Sequence, residues 1–377
     1  MEGRPPIRVQ LLKPGDPAWD EQLEATPRDV YHTAGFHAYA EGSGEGEAGL
    51  LVAGDRDRWL AWPYLLRPVA QVDGLEDASA ADVTSVYGYS GPLASGCVPG
   101  DEFLADAWRE IAGVWREQGV VSAFTRFHPL LENAALIGRI PWGDSRADEP
   151  APVAPLGRTI SIDLTLADAA IRSGYSESLR RQIKNYRQVG QVTTHDESWD
   201  DLEAFTSLYH ETMSRNEADE YYFWDVENFR RLRASLDGHV HLLVTRVGDV
   251  VGAAGLFTEY QGIVQEHLMA ANEALASVSP YKVLIDDTAH WAKLRGNSVL
   301  HLGGGRGARE DSLFEFKRRF SPRRHEFFTG RWILDRARYD ELVEARSAAV
   351  GPGKTLSPGY FPRYRAQAVD AQGPDEA

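Results

Sequence analysis

The chain has 377 residues and a hydrophobic content of 43%, which is enough for two medium-sized globular domains with cores of their own. Its single cysteine, Cys97, excludes an intramolecular disulfide framework and a cysteine-rich zinc site. The formal net charge is −16, which excludes a globally basic nucleic-acid-binding protein but allows a local basic site.

The N-terminal region indicates where the protein works. Residues 1–20 are polar and interrupted by proline, without the apolar segment of a signal peptide. No run approaches the roughly 18 apolar residues that a membrane-spanning helix needs. We therefore expect a cytoplasmic protein without a membrane span.

The first block of the chain, residues 1–150, mixes strands with helices. Residues 49–54 and 59–68 are predicted as paired strands around a tight turn. Apolar residues at helical spacing predict a helix over 101–118, and the apolar run 120–126 predicts the strand that follows it.

Two tyrosines precede that helix in a segment of turn-forming residues. Tyr87-Gly88-Tyr89, followed by Gly91-Pro92, predicts a rigid turn. The phenols would orient an amine acceptor or donate to a carbonyl group. The alternative is an ordinary packed turn at the end of a strand.

The second block has the same alternation with clearer boundaries. The Gly248-Asp249 pair between two apolar runs is a strong hairpin signal, and Pro280 is typical of the first position of a helix. The predicted order is helix 176–189, helix 202–214, strands 240–247, 250–260 and 262–271, helix 280–294, strand 298–302 and helix 312–320.

This order is that of a GNAT-type acyltransferase domain, and strands interspersed with helices indicate the mixed α/β class. The two blocks resemble divergent copies. We therefore predict two tandem GNAT-like domains with a cleft between them, at 1–150 and 151–350, joined by a proline-rich linker at 144–156. Residues 351–377, rich in proline, glycine and alanine, are predicted to be a loosely ordered tail.

The densest chemical signal is the segment HLGGGRGAREDSLFEFKRRF at 301–320. Glycines at 303–305 let the backbone approach a bound group and present N–H donors to an anion. Lys317 follows on the next helix, where an ammonium group can stabilise the oxyanion formed when an ester carbonyl is attacked. The alternative is a glycine-rich turn before an amphipathic helix whose lysine is solvated.

This segment resembles the C-terminal signature of the Fem family of tRNA-dependent aminoacyltransferases, which build peptidoglycan cross-bridges and have relatives in peptidyl-antibiotic assembly. The similarity extends over roughly residues 30–335. Further similar segments are SVYGYSGP at 85–92, SLRRQIKNYR at 178–187, LYHETMSR at 208–215 and the pair Tyr221-Tyr222.

The resemblance implies roles for individual residues. Phe316 and Lys317 match the functional Phe-Lys pair of the family. Arg215 and Tyr222 fall where contacts to a substrate phosphate and a substrate-binding tyrosine are expected, and His267 lies about where a tyrosine often sits. The expected substrate site consists of Arg215, Tyr222 and His267 together with Gly303, Gly304, Gly305, Tyr87 and Tyr89.

The sequence also departs from the family. It lacks the long helical arm of many cell-wall members, and residues 31–39 lack the lysine that holds a nucleotide-sugar precursor. His37 occupies that neighbourhood. A small amine or an antibiotic scaffold is therefore as suitable an acceptor as a peptidoglycan precursor.

Two basic clusters stand out in an acidic chain. Arg180, Lys184 and Arg187 share one face of a predicted helix, and Arg318 and Arg319 follow Lys317. Such stripes contact the phosphates of an RNA acceptor stem. The alternative is a solvated or ion-paired helix face.

The sequence indicates no resident cofactor and no metal. His239 and His241 are two residues apart, and no third ligand has suggestive spacing. No arrangement of serine or cysteine with histidine identifies a nucleophile, so direct attack by the acceptor amine is the simplest chemistry.

The donor is predicted from a missing motif. GNAT acetyltransferases bind the pyrophosphate of coenzyme A with a glycine-rich loop before a helix. The corresponding segment, ALASVSPY at 274–281, has no glycine, and its proline lacks an N–H donor. We therefore expect aminoacyl-tRNA as donor and an amine as acceptor; the alternative is an acyl-CoA-dependent N-acyltransferase acting on an amino sugar or small amine.

Overall fold

The computed structural model describes residues 6–138, 140 and 151–371. The chain divides into two compact units. Unit 1 comprises Met1–Pro27, Tyr31–Pro155 and Phe328–Ala377, and unit 2 comprises Arg28–Val30 and Leu156–Phe327. The second unit therefore begins close to the predicted boundary at residue 150 but ends before the predicted residue 350.

The first part of unit 1 contains most of its sheet. Its elements are β1 (Arg8–Leu12), α1 (Ala18–Leu23), α2 (Ala34–Gly42), β2 (Glu47–Gly54), β3 (Trp59–Pro68), β4 (Ala81–Thr84), β5 (Leu93–Ser95), α3 (Glu102–Glu117), β6 (Val120–Arg126) and α4 (Ala134–Ile137). The strands β1 to β4 form antiparallel pairs in chain order, and β4 pairs in parallel with β6. The helix α3 connects this parallel pair.

The core of unit 1 is rich in tryptophan. One face of α3 buries Ala107, Ile111 and Trp115 as the helical spacing predicts. The rings of Trp62 and Trp108 lie 4.5 Å apart between centroids, inside the same cluster. Burial of these large rings supplies much of the driving force that holds α3 on the sheet.

Unit 2 repeats this order. Its elements are β7 (Val153–Asp163), α5 (Asp168–Ser173), α6 (Glu177–Gln188), β8 (Gln191–Asp196), α7 (Leu202–Arg215), α8 (Val226–Leu236), β9 (Val240–Val247), β10 (Val250–Tyr260), β11 (Ile263–Ala271), α9 (Pro280–Leu294), β12 (Val299–Gly303) and α10 (Ser312–Lys317). The sheet order is β7-β12-β11-β10-β9-β8. Every pair is antiparallel except β11 with β12, which α9 connects.

Both units thus place a hairpin before a strand, a helix and a strand parallel to the first. This shared order confirms the mixed α/β class and the interpretation of the chain as two copies of one architecture. The hairpin turn at Gly248 has a φ of 61°, which suits glycine, and the Ser176 side chain caps α6. The sequence did not indicate β7, which begins inside the predicted linker; residues 144–150 lie outside the described residues.

The prediction of a loosely ordered tail is wrong for the part of it that is described. After β13 (Arg324–Ile333) and α11 (Arg336–Ala349), the strands β14 (Lys354–Leu356) and β15 (Ala368–Asp370) pair with each other. Tyr364 is fully buried, and its hydroxyl lies 2.8 Å from Ser122 Oγ and 3.2 Å from a carboxylate oxygen of Asp82. The composition did not indicate this buried tyrosine, because proline and glycine residues flank it on both sides.

Among the described residues, no helix is both long enough and apolar enough to cross a bilayer.

Candidate active site

Lys317 is a buried lysine at the end of α10. Only 6% of its surface is exposed. Its Nζ donates a hydrogen bond to the carbonyl oxygen of Leu302 and lies 3.0 Å from Oε1 of Glu266. The ammonium group is therefore held by an ion pair inside unit 2, and the interpretation of Lys317 as a solvated lysine is wrong.

The sheet explains why the ammonium group sits at this position. The parallel register of β11 and β12 ends at the pair Gln265 and His301. Glu266 and Leu302 are the next residues on each strand, so Lys317 bridges the two strands where they stop hydrogen bonding to each other. Such a gap leaves backbone and side-chain polar groups in need of partners, which the lysine supplies.

Glu266 is the second buried charge of the site. Its Oε1 accepts a hydrogen bond of 2.9 Å from the hydroxyl of Tyr281, in addition to the contact with Lys317. Its Oε2 has no hydrogen-bond partner among the described residues. Burial and the neighbouring carboxylate raise the pKa of Tyr281 well above its usual value, so this phenol stays protonated and remains a donor.

Phe316 positions the tyrosine. Its ring stacks on Tyr281 with 4.9 Å between centroids and an interplanar angle of 14°. The two residues of the predicted Phe-Lys pair therefore differ in what they do, since Lys317 carries the charge and Phe316 holds the phenol that binds the same carboxylate.

The number of donors on the lysine defines what the site can do. An ammonium group has three N–H donors. Leu302 and Glu266 take two of them. The third has no acceptor among the described residues, so it can donate to an oxygen that gains negative charge during a reaction. A donor held in a buried, rigid setting stabilises such an oxygen strongly.

His267 lies in an irregularity of β11. Leu256 pairs with Leu268 and Phe257 with Glu266, which leaves His267 as the extra residue of a β-bulge. Bulges re-aim side chains near functional sites. Burial lowers the pKa of His267 to about 4, so the ring is neutral at pH 7.

Of the three glycines before α10, Gly304 and Gly305 pack closely against the chain itself, and Gly303 has a positive φ of 69°. A Cβ on Gly304 would come within 2.8 Å of the Arg158 carbonyl oxygen, and one on Gly305 within 2.3 Å of Asp311 Oδ1. Asp311 also accepts from the N–H groups at the start of α10. Close packing thus explains the small residues, and anion binding at Gly303, Gly304 and Gly305 stays a prediction.

Arg215 and Tyr222 lie on neighbouring segments of unit 2. Arg215 ends α7, is exposed, and lies 3.3 Å from Oε2 of Glu273. Tyr222 belongs to the 3-10 helix Glu220–Tyr222, where its ring meets that of Tyr221 edge-on. Their substrate contacts stay predictions.

The basic residues of unit 2 differ in how far their charge is compensated. Arg187 binds Asp286 and Asp287, and Arg180 donates to two backbone carbonyls. Arg318 pairs with Glu315 on α10. The exposed members of the two clusters are Arg180, Lys184, Arg187 and Arg318, whereas Arg319 is half-buried against α6.

The predicted tyrosine turn belongs to unit 1. Tyr87 and Tyr89 follow β4 and are half-buried. Gly88 between them has a φ of 108°, and a Cβ there would lie 2.3 Å from the ring of Tyr31. The glycine of this turn is therefore required both by backbone conformation and by packing.

In the segment before α9, several backbone amides already donate hydrogen bonds within the chain. Residues Glu273–Val278 form a 3-10 helix, and Ser279 adopts a left-handed conformation with a φ of 38° before Pro280. The amides of Ala274, Leu275 and Ser279 donate to acceptors within the chain. A pyrophosphate bound at this segment would need amides that are free to donate, and these three already have acceptors.

The part of the chain that is described contains no group of three or more His, Cys, Asp or Glu side chains that could hold a metal ion. His241 instead lies 2.9 Å from a carboxylate oxygen of Glu259 and 3.2 Å from His195.

Sequence reasoning missed Glu266 and Tyr281. The one available signal was a carboxylate inside an otherwise apolar strand, since a charge in such a place is seldom left without a partner.

Part of the chain matches the model of a known family. Residues 173–318 match the family model described as "Acetyltransferase (GNAT) domain". No curated protein sequence matches the chain significantly.

Solved structures share the fold across both units. The crystal structure of FemX is similar with a TM-score of 0.63 and 10% identity, over 89% of this chain and 99% of that one. The structure of L-PGS from Bacillus licheniformis has a TM-score of 0.54 and 12% identity, over 86% and 93%. The C-terminal domain of a putative lysylphosphatidylglycerol synthetase from Agrobacterium fabrum has 0.50 and 14%, over 84% and 93%.

The matched domain contains β11, α9 and β12 together with Glu266 and Lys317. The chain is therefore an acyltransferase with a GNAT fold.

Proposed function

We propose that the protein transfers an aminoacyl group from aminoacyl-tRNA to an acceptor amine. The observation that carries this proposal is the buried ammonium group of Lys317, which retains one N–H donor beside the point where β11 and β12 separate. An aminoacyl ester is already activated, so the enzyme needs to orient the reactants and stabilise an oxyanion.

In this reaction, the acceptor nitrogen attacks the ester carbonyl. The carbonyl oxygen becomes an oxyanion and accepts a hydrogen bond from Lys317. When the C–O bond breaks, the terminal ribose hydroxyl of the tRNA leaves and an amide remains. Loss of one oxyanion-hole donor costs other enzymes about 10²–10³ in kcat, and we expect a loss of that order without Lys317.

The choice of donor follows from the segment at 273–281. Its amides are occupied by the chain, which disfavours the pyrophosphate of coenzyme A. The exposed basic residues on α6 and α10, which include Lys184 and Arg318, would contact the phosphates of the acceptor stem. The fold shared with FemX and with a lysylphosphatidylglycerol synthetase is compatible with this donor.

The second candidate is an acyl-CoA-dependent N-acyltransferase that acts on an amino sugar or small amine. It is favoured by the description of the matched family as an acetyltransferase domain. The acceptor of either reaction would be a cell-wall precursor, a peptidyl-antibiotic-like metabolite or another small amine.

The test offers both donors to a panel of acceptors. The full-length protein is incubated with mixed aminoacyl-tRNA or with acetyl-CoA, and with a lysine-containing muramyl peptide, glucosamine or a short lysyl peptide as acceptor. We expect product from the charged tRNA, abolished by prior ribonuclease treatment. Release of free coenzyme A with an acetylated product would establish the second candidate, and no product from either donor would count against both.

A further inference from the structure

Glu266 holds a carboxylate oxygen that the protein leaves unused. Its side chain is only 5% exposed, which makes it one of the most deeply buried charges of unit 2. Oε1 receives both Lys317 and Tyr281, while Oε2 has no hydrogen-bond partner among the described residues. A buried carboxylate oxygen without a partner costs free energy, so its retention calls for an explanation.

The unused oxygen and the unused donor are on adjacent groups. Lys317 has one N–H left over, and Glu266 has one acceptor left over, within an ion pair of 3.0 Å. An amine that adds to an ester forms an adduct with an oxyanion on carbon and a proton to lose from nitrogen. The pair presents a donor for the first and an acceptor for the second.

We propose that Oε2 of Glu266 accepts the proton of the attacking amine, which makes Glu266 the catalytic base; this rests on the proposed function. The bond between nitrogen and the carbonyl carbon forms as the N–H proton passes to Oε2. The ester C–O bond then breaks, and the leaving ribose oxygen takes the proton from the Glu266 carboxyl group. The carboxylate is regenerated, and no further reactant is needed.

The neighbouring residues fix the direction of this oxygen. Tyr281 and Lys317 both bind Oε1, and Phe316 stacks on Tyr281, so the carboxylate plane is set before substrate arrives. Positioning of this kind is what general-base catalysis requires, since the base must lie within hydrogen-bond reach of the proton it takes.

The nearby histidines are less suited to accept this proton. Both ring nitrogens of His301 have partners, Gln265 and Thr159. His267 has its ring against that of Trp224, 6.3 Å away between centroids, whereas the carboxylate of Glu266 is in direct contact with Lys317. Of the titratable groups nearest to Lys317, Glu266 is the one with an oxygen to spare.

The decisive variant is Glu266→Gln. The glutamine amide keeps an oxygen for Tyr281 and Lys317 but replaces the second oxygen with a group that cannot accept a proton. We expect kcat to fall by about 10²–10⁴, the usual contribution of a general base. Glu203→Gln on the exposed side of α7 is the matched control and should retain the wild-type rate.

A second variant separates the base from a structural role. In Glu266→Ala, added formate should restore part of the turnover, because a small carboxylate can occupy the vacated space. Circular dichroism and normalisation to the folded fraction exclude loss of fold as the cause.

The results distinguish this inference from the proposed function. A rate within threefold of wild type in Glu266→Gln would overturn the assignment of Glu266 as the catalytic base, even if the wild type uses aminoacyl-tRNA. If the wild type uses acetyl-CoA, the proposed donor is wrong. In that case, loss of turnover in Glu266→Gln together with rescue of Glu266→Ala by formate would still identify Glu266 as the base for amine attack.

Discussion

The ion pair between Lys317 and Glu266 allows a quantitative stability test. Replacing Lys317 with methionine keeps most of the apolar stem of the side chain but leaves the carboxylate of Glu266 buried without its counter-charge. Removing one partner of a buried ion pair costs about 3–5 kcal/mol of folding free energy. We expect Lys317→Met to be destabilised by this amount.

The double variant Glu266→Gln/Lys317→Met identifies the source of that cost. It has no buried charge, Tyr281 keeps an acceptor, and what remains is the Leu302 carbonyl without its donor, at about 1–3 kcal/mol. We therefore expect the double variant to recover about 2 kcal/mol relative to Lys317→Met.

Urea unfolding followed by far-ultraviolet circular dichroism measures both effects, as a shift in midpoint at constant m. Lys184→Met is the control, since Lys184 is exposed on α6 and its loss should change stability by no more than about 0.5 kcal/mol. Equal destabilisation of the single and double variants, or a single variant close to wild type, would refute the buried charge pair.

Three further predictions concern unit 1. Gly88→Ala should lose more than about 1 kcal/mol of stability, because the φ of Gly88 is positive and the added Cβ would meet Tyr31. Gly113→Ala in α3, where an added Cβ has nothing within 4 Å, should gain about 0.5–1 kcal/mol. Equal thermal stability of the two variants would contradict this prediction. Burial lowers the pKa of His37 to about 4, below its unfolded value of 6.5, so the neutral ring supports folding above pH 6.5. This support is lost as the pH falls from 6.5 toward 4, at up to about 1.4 kcal/mol per pH unit. His37→Leu should therefore flatten the pH dependence of the unfolding free energy in this window, and an unchanged slope would show that the ring does not titrate there. Tyr364→Ala should cost about 3–5 kcal/mol in urea unfolding because its ring is fully buried, and a cost under 1 kcal/mol would restore the interpretation of a loose tail.

The sequence predicted elements whose local signals agree with their packing. The strands and helices around Gly248 and Pro280 have turn chemistry, capping and apolar spacing that all indicate the same structure. It failed for β7, where proline-rich composition suggested a linker, and for the segment around Tyr364, where composition suggested a loosely ordered tail. In both places long-range pairing and burial determine the structure.

The candidate site was partly predictable for a similar reason. Lys317 and Phe316 are adjacent in a recognisable motif. Glu266 and Tyr281 lie 51 and 36 residues earlier, on different elements, and only the register of β11 with β12 and the packing of α9 bring them to the lysine. Such proximity depends on tertiary structure, which spacing along one chain does not encode.

The central claim, that an aminoacyl ester is the donor, is tested most directly by competition. The protein is incubated with one acceptor and with two competing donors, aminoacyl-tRNA charged with an isotope-labelled amino acid and acetyl-CoA that carries a different label. The mass of the product is then measured by mass spectrometry. We expect the acceptor to gain the labelled aminoacyl residue through an amide bond. A product that carries only the labelled acetyl group would contradict the account.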